Sequence, residues 1–106
     1  MTPTLSIITA VHNQLAVNRW YVEHLQRNTR QPYELIVIDN ASTDGSGDYF
    51  ASVGAHVIRN PANYSYPYTQ NQGISRARGQ WLAFLNNDIV VPPGWDERLL
   101  RSAERH

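Results

Sequence analysis

The chain holds 106 residues, room for one compact domain with one core and not for two. Hydrophobic residues at 42% and charged ones at 17% are ordinary globular proportions, which excludes disordered, collagen-like and coiled-coil classes. Nine basic residues balance nine acidic ones, so no net field favours nucleic acid or an anionic membrane; all nine are Arg and Cys is absent, which removes lysine Schiff bases, the P-loop lysine, disulfides, thiolate nucleophiles and cysteine-ligated zinc.

Met1-Thr2-Pro3-Thr4 lacks the basic segment of a signal peptide, and no apolar run approaches bilayer-spanning length. A soluble cytoplasmic protein is therefore expected, free or at the inner face of the membrane. Leu5 to Val11 reads as a buried strand. Gln14 to Arg27, with Leu15, Trp20, Val22 and Leu25 as its apolar positions, reads as a helix capped by Asn13. Pro32 closes that region, and Tyr33 to Ile38 is β-branched enough to prefer a sheet. The polar turn Asp39 to Ser46 leads to a short helix carrying Tyr49, Phe50 and Val53, which Gly54 stops. Ala55 to Ile58 is a third strand and Arg59 to Tyr66 a loop. Pro67 to Arg78 reads as a helix, with Gly79 in the left-handed position after it. Gln80 to Leu85 is the fourth strand, Ile89 to Val91 a short extended piece, and Trp95 to Glu104 a last helix.

The order β-α-β-α-β-α-β-α, without internal repeat or linker, predicts an α/β domain: a mainly parallel sheet of about four strands with helices on both faces. In such sheets the functional crevice lies at the carboxyl ends of the strands. The residues just past each strand are polar: His12 and Asn13, then Asp39 and Asn40, then Arg59 and Asn60, then Asn86, Asn87 and Asp88.

Asp39 and Asp88, from different strand ends, suit a hard divalent cation or a pair of sugar hydroxyls. Mg²⁺ takes one or two protein carboxylates and completes its shell with water and substrate phosphate, a habit that one aspartate flanked by neutral amides fits. His12 offers a flat ring to stack on a base, and Asp39 an acceptor for base or ribose. Each has a plainer explanation, since Asp or Asn after a strand is ordinary turn chemistry. Ser42-Thr43-Asp44-Gly45 is read as turn and helix cap, Tyr64, Tyr66 and Tyr68 as loop packing, and Arg76 and Arg78 as solvated helix-face residues. His24, His56 and His106 join no ligand pattern. A calcium loop with its glycine at Gly45 would need Glu where Ala51 stands. No Gly-x-Gly-x-x-Gly follows the first strand and no Gly-x-Ser-x-Gly turn occurs.

Four segments taken together resemble the amino-terminal half of family 2 glycosyltransferases, which have the GT-A fold: Ile7 to Asn13, Glu34 to Ser46, Asn71-Gln72-Gly73-Ile74 with Ala77-Arg78-Gly79, and Phe84 to Asp88 leading to Pro93-Gly94-Trp95. The resemblance implies a Rossmann-like core, with residues 1–106 as a single nucleotide-sugar-binding domain that stops before the acceptor half. By position, His12 matches an aromatic residue near the base, and Asp39 the first acid of the pair after strand two. Asn40 stands where that pair has its second acid, which leaves the base open. Asn86-Asn87-Asp88 matches the Asp-x-Asp motif, a version also found among rhamnosyltransferase-like members. It implies that Asp88 binds Mg²⁺ or Mn²⁺ at the diphosphate, with Asn13, Asn71, Asn86 and Asn87 shaping the donor pocket. The implied reaction is transfer of a sugar from a nucleotide-diphosphate donor to an acceptor hydroxyl of a glycan, lipid or protein, assisted by a carboxylate base. That base is expected beyond residue 106, since Asp96, Glu97 and Glu104 are poorly placed. The alternative is a non-catalytic nucleotide-binding or assembly module, whose uncovered apolar surface favours self-association.

Overall fold

The computed structural model describes residues 3–104, with the side chain of Glu104 left out; the amino-terminal Met1-Thr2 and His106 lie outside the described residues. Four strands, β1 (Leu5–Val11), β2 (Tyr33–Asn40), β3 (His56–Asn60) and β4 (Trp81–Phe84), alternate with four helices: α1 (Leu15–Asn28), α2 (Ser46–Ser52), α3 (Tyr66–Arg76) and α4 (Trp95–Glu104). All strand pairs are parallel and the sheet order is β3-β2-β1-β4. The expected α/β architecture is therefore present. β1 and β2 run side by side in the middle, from Leu5 opposite Tyr33 to Val11 opposite Asp39. Being central and covered twice, they are apolar without alternation.

The two faces of the sheet carry separate cores. On one, Leu5, Ile7, Val11, Leu35 and Val37 pack with Tyr21, Val22 and Leu25 of α1 and Phe50 of α2. On the other, Ile8, Ile36 and Ile38 pack together, and α3 lies against β1 and β2. Gly73 permits that approach, because a Cβ there would overlap Ile8 Cγ2 and lie 3.1 Å from Ile8 Cδ1.

Several expected boundaries differ, each for a tertiary reason. Asn13 does not cap α1: the preceding residue is Gln14, left-handed at φ 65°, and the Leu15 amide donates instead to Asp44 Oδ2 at 3.0 Å, from the loop after β2. β2 continues through Asp39 and Asn40, which pair with Arg59 and Asn60 of a correspondingly longer β3. α3 ends at Arg76 because Ala77 turns extended, carrying the Arg78 amide to Glu34 Oε2 at 2.7 Å and the Gly79 amide to Ser6 Oγ at 2.7 Å. Gly79 is thus not a left-handed cap. It is small because a Cβ would stand 2.6 Å from the Ser6 amide nitrogen. Ile89 to Val91 forms no strand; Val91 is buried in the main core, and its carbonyl accepts from Asn28 Nδ2 at 2.7 Å.

Candidate functional site

Parallel pairing brings all four carboxyl strand ends to one rim. The chain builds outward from β1 to β2 to β3 and then returns to place β4 on the far side of β1. In an open α/β sheet this reversal, between β1 and β4, is the usual ligand position. The loops that flank it are His12 to Gln14 and Leu85 to Asp88, joined by Asn87 Nδ2.

The loops after β1 and β2 are stitched together. The Asn13 amide donates to Ser42 Oγ at 2.8 Å, and the Thr43 amide donates to Asn13 Oδ1 at 2.7 Å. His12 Nδ1 donates to the Asn40 carbonyl. Asn13, Gln14 and Ala41 are the non-glycine residues with positive φ among those described, and all three lie in these two loops. Such conformations cost free energy and persist where surrounding bonds hold them, which is common where a ligand is bound. Asp44 takes part as well: the Ser46 hydroxyl first, then the Leu15 and Ser46 amides, hold its carboxyl below the usual range.

The individual side chains divide into inward and outward sets. Asp39 is buried at 4% exposure; its Oδ1 accepts from the Ser42 amide at 3.1 Å. Its Oδ2 fills the space that a side chain at position 47 would need, so Gly47 leaves room for this carboxylate. Asn40, also buried, spends its amide internally, donating to Asn63 Oδ1 at 3.2 Å and the Tyr64 carbonyl at 3.3 Å and accepting from Asn60 Nδ2 at 2.9 Å. Asn60 and Gln72 exchange two further bonds at 2.8 Å. Asn71 is exposed on α3, and its carbonyl accepts from the Ser75 hydroxyl within the helix.

The segment after β4 is a turn closed by the Ile89 amide on the Asn86 carbonyl at 3.4 Å. Asn86 and Asp88 are exposed on it, while half-buried Asn87 reaches inward. The Asn87 Nδ2 donates to Asn18 Oδ1 at 2.7 Å and to Gln14 Oε1 at 3.3 Å. Between the loops after β1 and β3 a pocket of about 240 Å³ is lined by His12, Asn40, Asn63, Tyr64, Tyr66 and Thr69. Tyr64 and Tyr66, assigned to loop packing from sequence, therefore face a cavity at the rim.

Among the described residues no group of three or more His, Asp or Glu forms a ready-made metal cage. The donor set is instead one exposed carboxylate, Asp88, beside an exposed amide, Asn86. That fits a hard cation sharing its shell with ligand phosphate. Asp96 is fully buried, its carboxylate accepting from the Arg30 and Gln31 amides, and Glu97 lies 3.7 Å from the Arg30 guanidinium. Asp96 is thereby unavailable for proton transfer.

Both the sequence pattern and the fold have known counterparts. The family model described as "Glycosyl transferase family 2" matches residues 6–106. The putative glycosyltransferase EpsH of Bacillus subtilis (strain 168) is 30% identical over 106 residues, which cover 96% of this chain and 31% of EpsH. The solved structure of S. aureus TarS 1-349 in complex with UDP-GlcNAc superposes with a TM-score of 0.83 at 18% identity, covering 97% of this chain and 32% of that one. The mannosyltransferase PcManGT from Pyrobaculum calidifontis, in complex with GDP-Man and Mn²⁺, superposes with a TM-score of 0.75 at 18% identity, covering 87% and 29%. The two structural likenesses establish the GT-A fold. The chain spans about a third of the length of these proteins.

Proposed function

The chain belongs to glycosyl transferase family 2, and from that premise we propose that its strand-end rim binds a nucleotide-diphosphate sugar through a divalent cation and serves transfer of the sugar to an acceptor hydroxyl. The observation that carries this is the convergence of His12, Asp39 and the Asp88 turn at one rim, with the sheet's reversal between β1 and β4. The ligands named with TarS and PcManGT, UDP-GlcNAc and GDP-Man with Mn²⁺, support the ligand class.

In this assignment the base enters the pocket between His12 and Tyr64, whose lining carries no carboxylate and suits a planar, weakly polar group. Asp39, buried with Oδ1 on the Ser42 amide and Oδ2 against Gly47, acts from beneath the rim by fixing the loop after β2 that meets the nucleotide. The diphosphate then extends across the rim toward Asn86 and Asp88. The rim loops carry three carboxylates, Asp39, Asp44 and Asp88, and the Arg59 guanidinium at the end of β3 is paired with Asp48, so a cation favours acceptance of a diphosphate there. Asp88, with Asn86 beside it, would hold Mg²⁺ or Mn²⁺, which supplies charge stabilisation to the departing diphosphate. A cytoplasmic location suits such donors.

Calorimetric titration with UDP, GDP and dTDP, with and without Mn²⁺, tests this. At least one nucleotide is expected to bind, and more tightly with Mn²⁺. Asp88→Ala should remove the Mn²⁺-dependent gain and leave metal-free binding in place. Absence of binding in every combination would overturn the site, and an undiminished Mn²⁺ gain in Asp88→Ala would remove Asp88 from the metal role.

A further inference from the structure

A polar residue on the buried stripe of α1 links three of the rim loops. Tyr21, Val22 and Leu25 of that stripe are apolar, yet Asn18, one turn earlier, is buried as completely as Tyr21, at 0% exposure. Both hydrogens of its Nδ2 are used, one on the Asn13 carbonyl after β1 and one on Ser46 Oγ after β2, each at 2.9 Å. Its Oδ1 accepts from Asn87 Nδ2, after β4, at 2.7 Å. Ser46 passes its own hydrogen on to Asp44 Oδ1 at 2.6 Å, so the network is satisfied in sequence. Ordering an amide in an apolar core is costly unless every group finds a partner, and when it does the network rigidifies what it joins.

The three attachments are not equivalent. The loops after β1 and β2 hold each other independently through Asn13, Ser42, Thr43 and Asp44. Among the described residues, the side-chain bonds tying the turn at 86–88 to the other rim loops and to α1 both come from Asn87, the short one to Asn18 and a longer one to Gln14. From this asymmetry we infer that Asn18 is a positioning residue for the cation-bearing turn, acting through Asn87 to set Asp88 against the nucleotide half of the rim. The inference rests on the assignment of Asp88 to the cation. Asn18 touches neither nucleotide nor metal, and its effect falls on the metal-dependent part of binding.

UDP, GDP and dTDP titrations of the 106-residue chain, with and without Mn²⁺, are to be compared for the unsubstituted chain, Asn18→Leu, Asn87→Ala and the double variant. Leu keeps the branched shape and heavy-atom count of Asn18, though it is larger, and deletes all three bonds. In Asn18→Leu, metal-free affinity should stay nearly constant while the Mn²⁺-dependent gain falls about 10–100-fold, the range for lost outer-shell support of a metal ligand. Asn87→Ala removes the same tie from the surface side and tests it even if Asn18→Leu does not fold. The double variant should lose no more than either single one, which separates a shared tie from a direct ligand contact of Asn87. An unchanged Mn²⁺ gain in Asn87→Ala, an equal fall of metal-free and metal-dependent binding, or additive losses in the double variant would each overturn the role of Asn18. If the unsubstituted chain bound none of UDP, GDP and dTDP under either condition, the proposed function itself would fall, and this role with it.

Discussion

Glu34 lies at the amino end of β2, on the rim opposite the candidate site, with its side chain almost wholly buried. Its Oε2 accepts from the Ser6 hydroxyl at 2.6 Å and the Arg78 amide at 2.7 Å. Among the described residues its Oε1 has no hydrogen-bond partner, and it faces Arg78 Nε at 3.7 Å and His56 Nε2 at 3.8 Å. Burial alone raises its pKa, but the Ser6 and Arg78 hydrogen bonds and the charges of Arg78 and His56 outweigh it and hold the carboxyl below its usual 4.5. A carboxylate whose folded pKa is depressed binds its proton more readily in the unfolded chain. Its stabilisation is therefore complete above the unfolded value and is lost as pH falls through 4.5 toward the folded one. Glu34→Gln should cost about 1–3 kcal/mol at neutral pH, and the gap from the unsubstituted chain should close in acid. Urea unfolding at several pH values checks this; a gap that stays constant down to low pH would assign the loss to packing alone. At this scale the sequence was only partly legible. Asp39 stands out because it directly follows an apolar run, and Asp88 because it ends the polar triplet after another. Asn18 carried a readable signal, a polar residue in an apolar helical stripe. The inward turn of Asn40 depends on Asn60, Asn63 and Tyr64, which no local pattern connects to it.

Elements were most legible where burial alone decides them. β1 and β2 are mostly apolar runs, interrupted by Ser6, Thr9 and Glu34, because both faces of the sheet are covered, and their existence needed no tertiary information. Helix ends were read less well because their partners come from elsewhere in the chain, Asp44 for α1 and Glu34 for the exit from α3. Packing of α3 makes a prediction in which two effects compete. Gly73→Ala relieves a glycine in a helix interior, worth about 1 kcal/mol in propensity. The added methyl, however, overlaps Ile8 Cγ2, on a buried β-branched side chain with little rotamer freedom. Overpacking of this kind costs about 1–3 kcal/mol, so the substitution should be destabilising on balance despite the better helix former. Thermal unfolding should show a fall of about 4–8 °C for each net kcal/mol. A variant melting at or above the unsubstituted chain would mean that α3 can move off β1 at no cost.

For the molecule as a whole, the two edges of the sheet are unlike. β3 bears exposed His56 and Arg59 and is followed by Pro61, features that discourage a second strand from pairing. β4, Trp81-Leu82-Ala83-Phe84, has neither charge nor proline, and Leu82 and Phe84 are 42% and 37% exposed. Its continuation, Leu85, joins Ile89, Val90, Trp95 and Leu99 around an apolar groove of about 480 Å³. Uncovered apolar surface of this kind drives association. Composition could not reveal it, because the 42% hydrophobic content is the same whether these residues are covered or not. The β4 edge is also self-complementary, since two copies related by a twofold axis can pair it antiparallel without a charge meeting a charge. Sedimentation velocity over a wide concentration range should therefore show reversible self-association of this chain. Leu82→Thr with Phe84→Thr retains β-branched residues suited to a strand while removing the apolar surface, and should shift the equilibrium toward monomer. The same pair should leave nucleotide binding intact, because β4 contributes to the rim through the turn beyond it. A chain that stays monomeric into the millimolar range, or a double variant that associates as strongly as the original, would rule the β4 edge out as the contact.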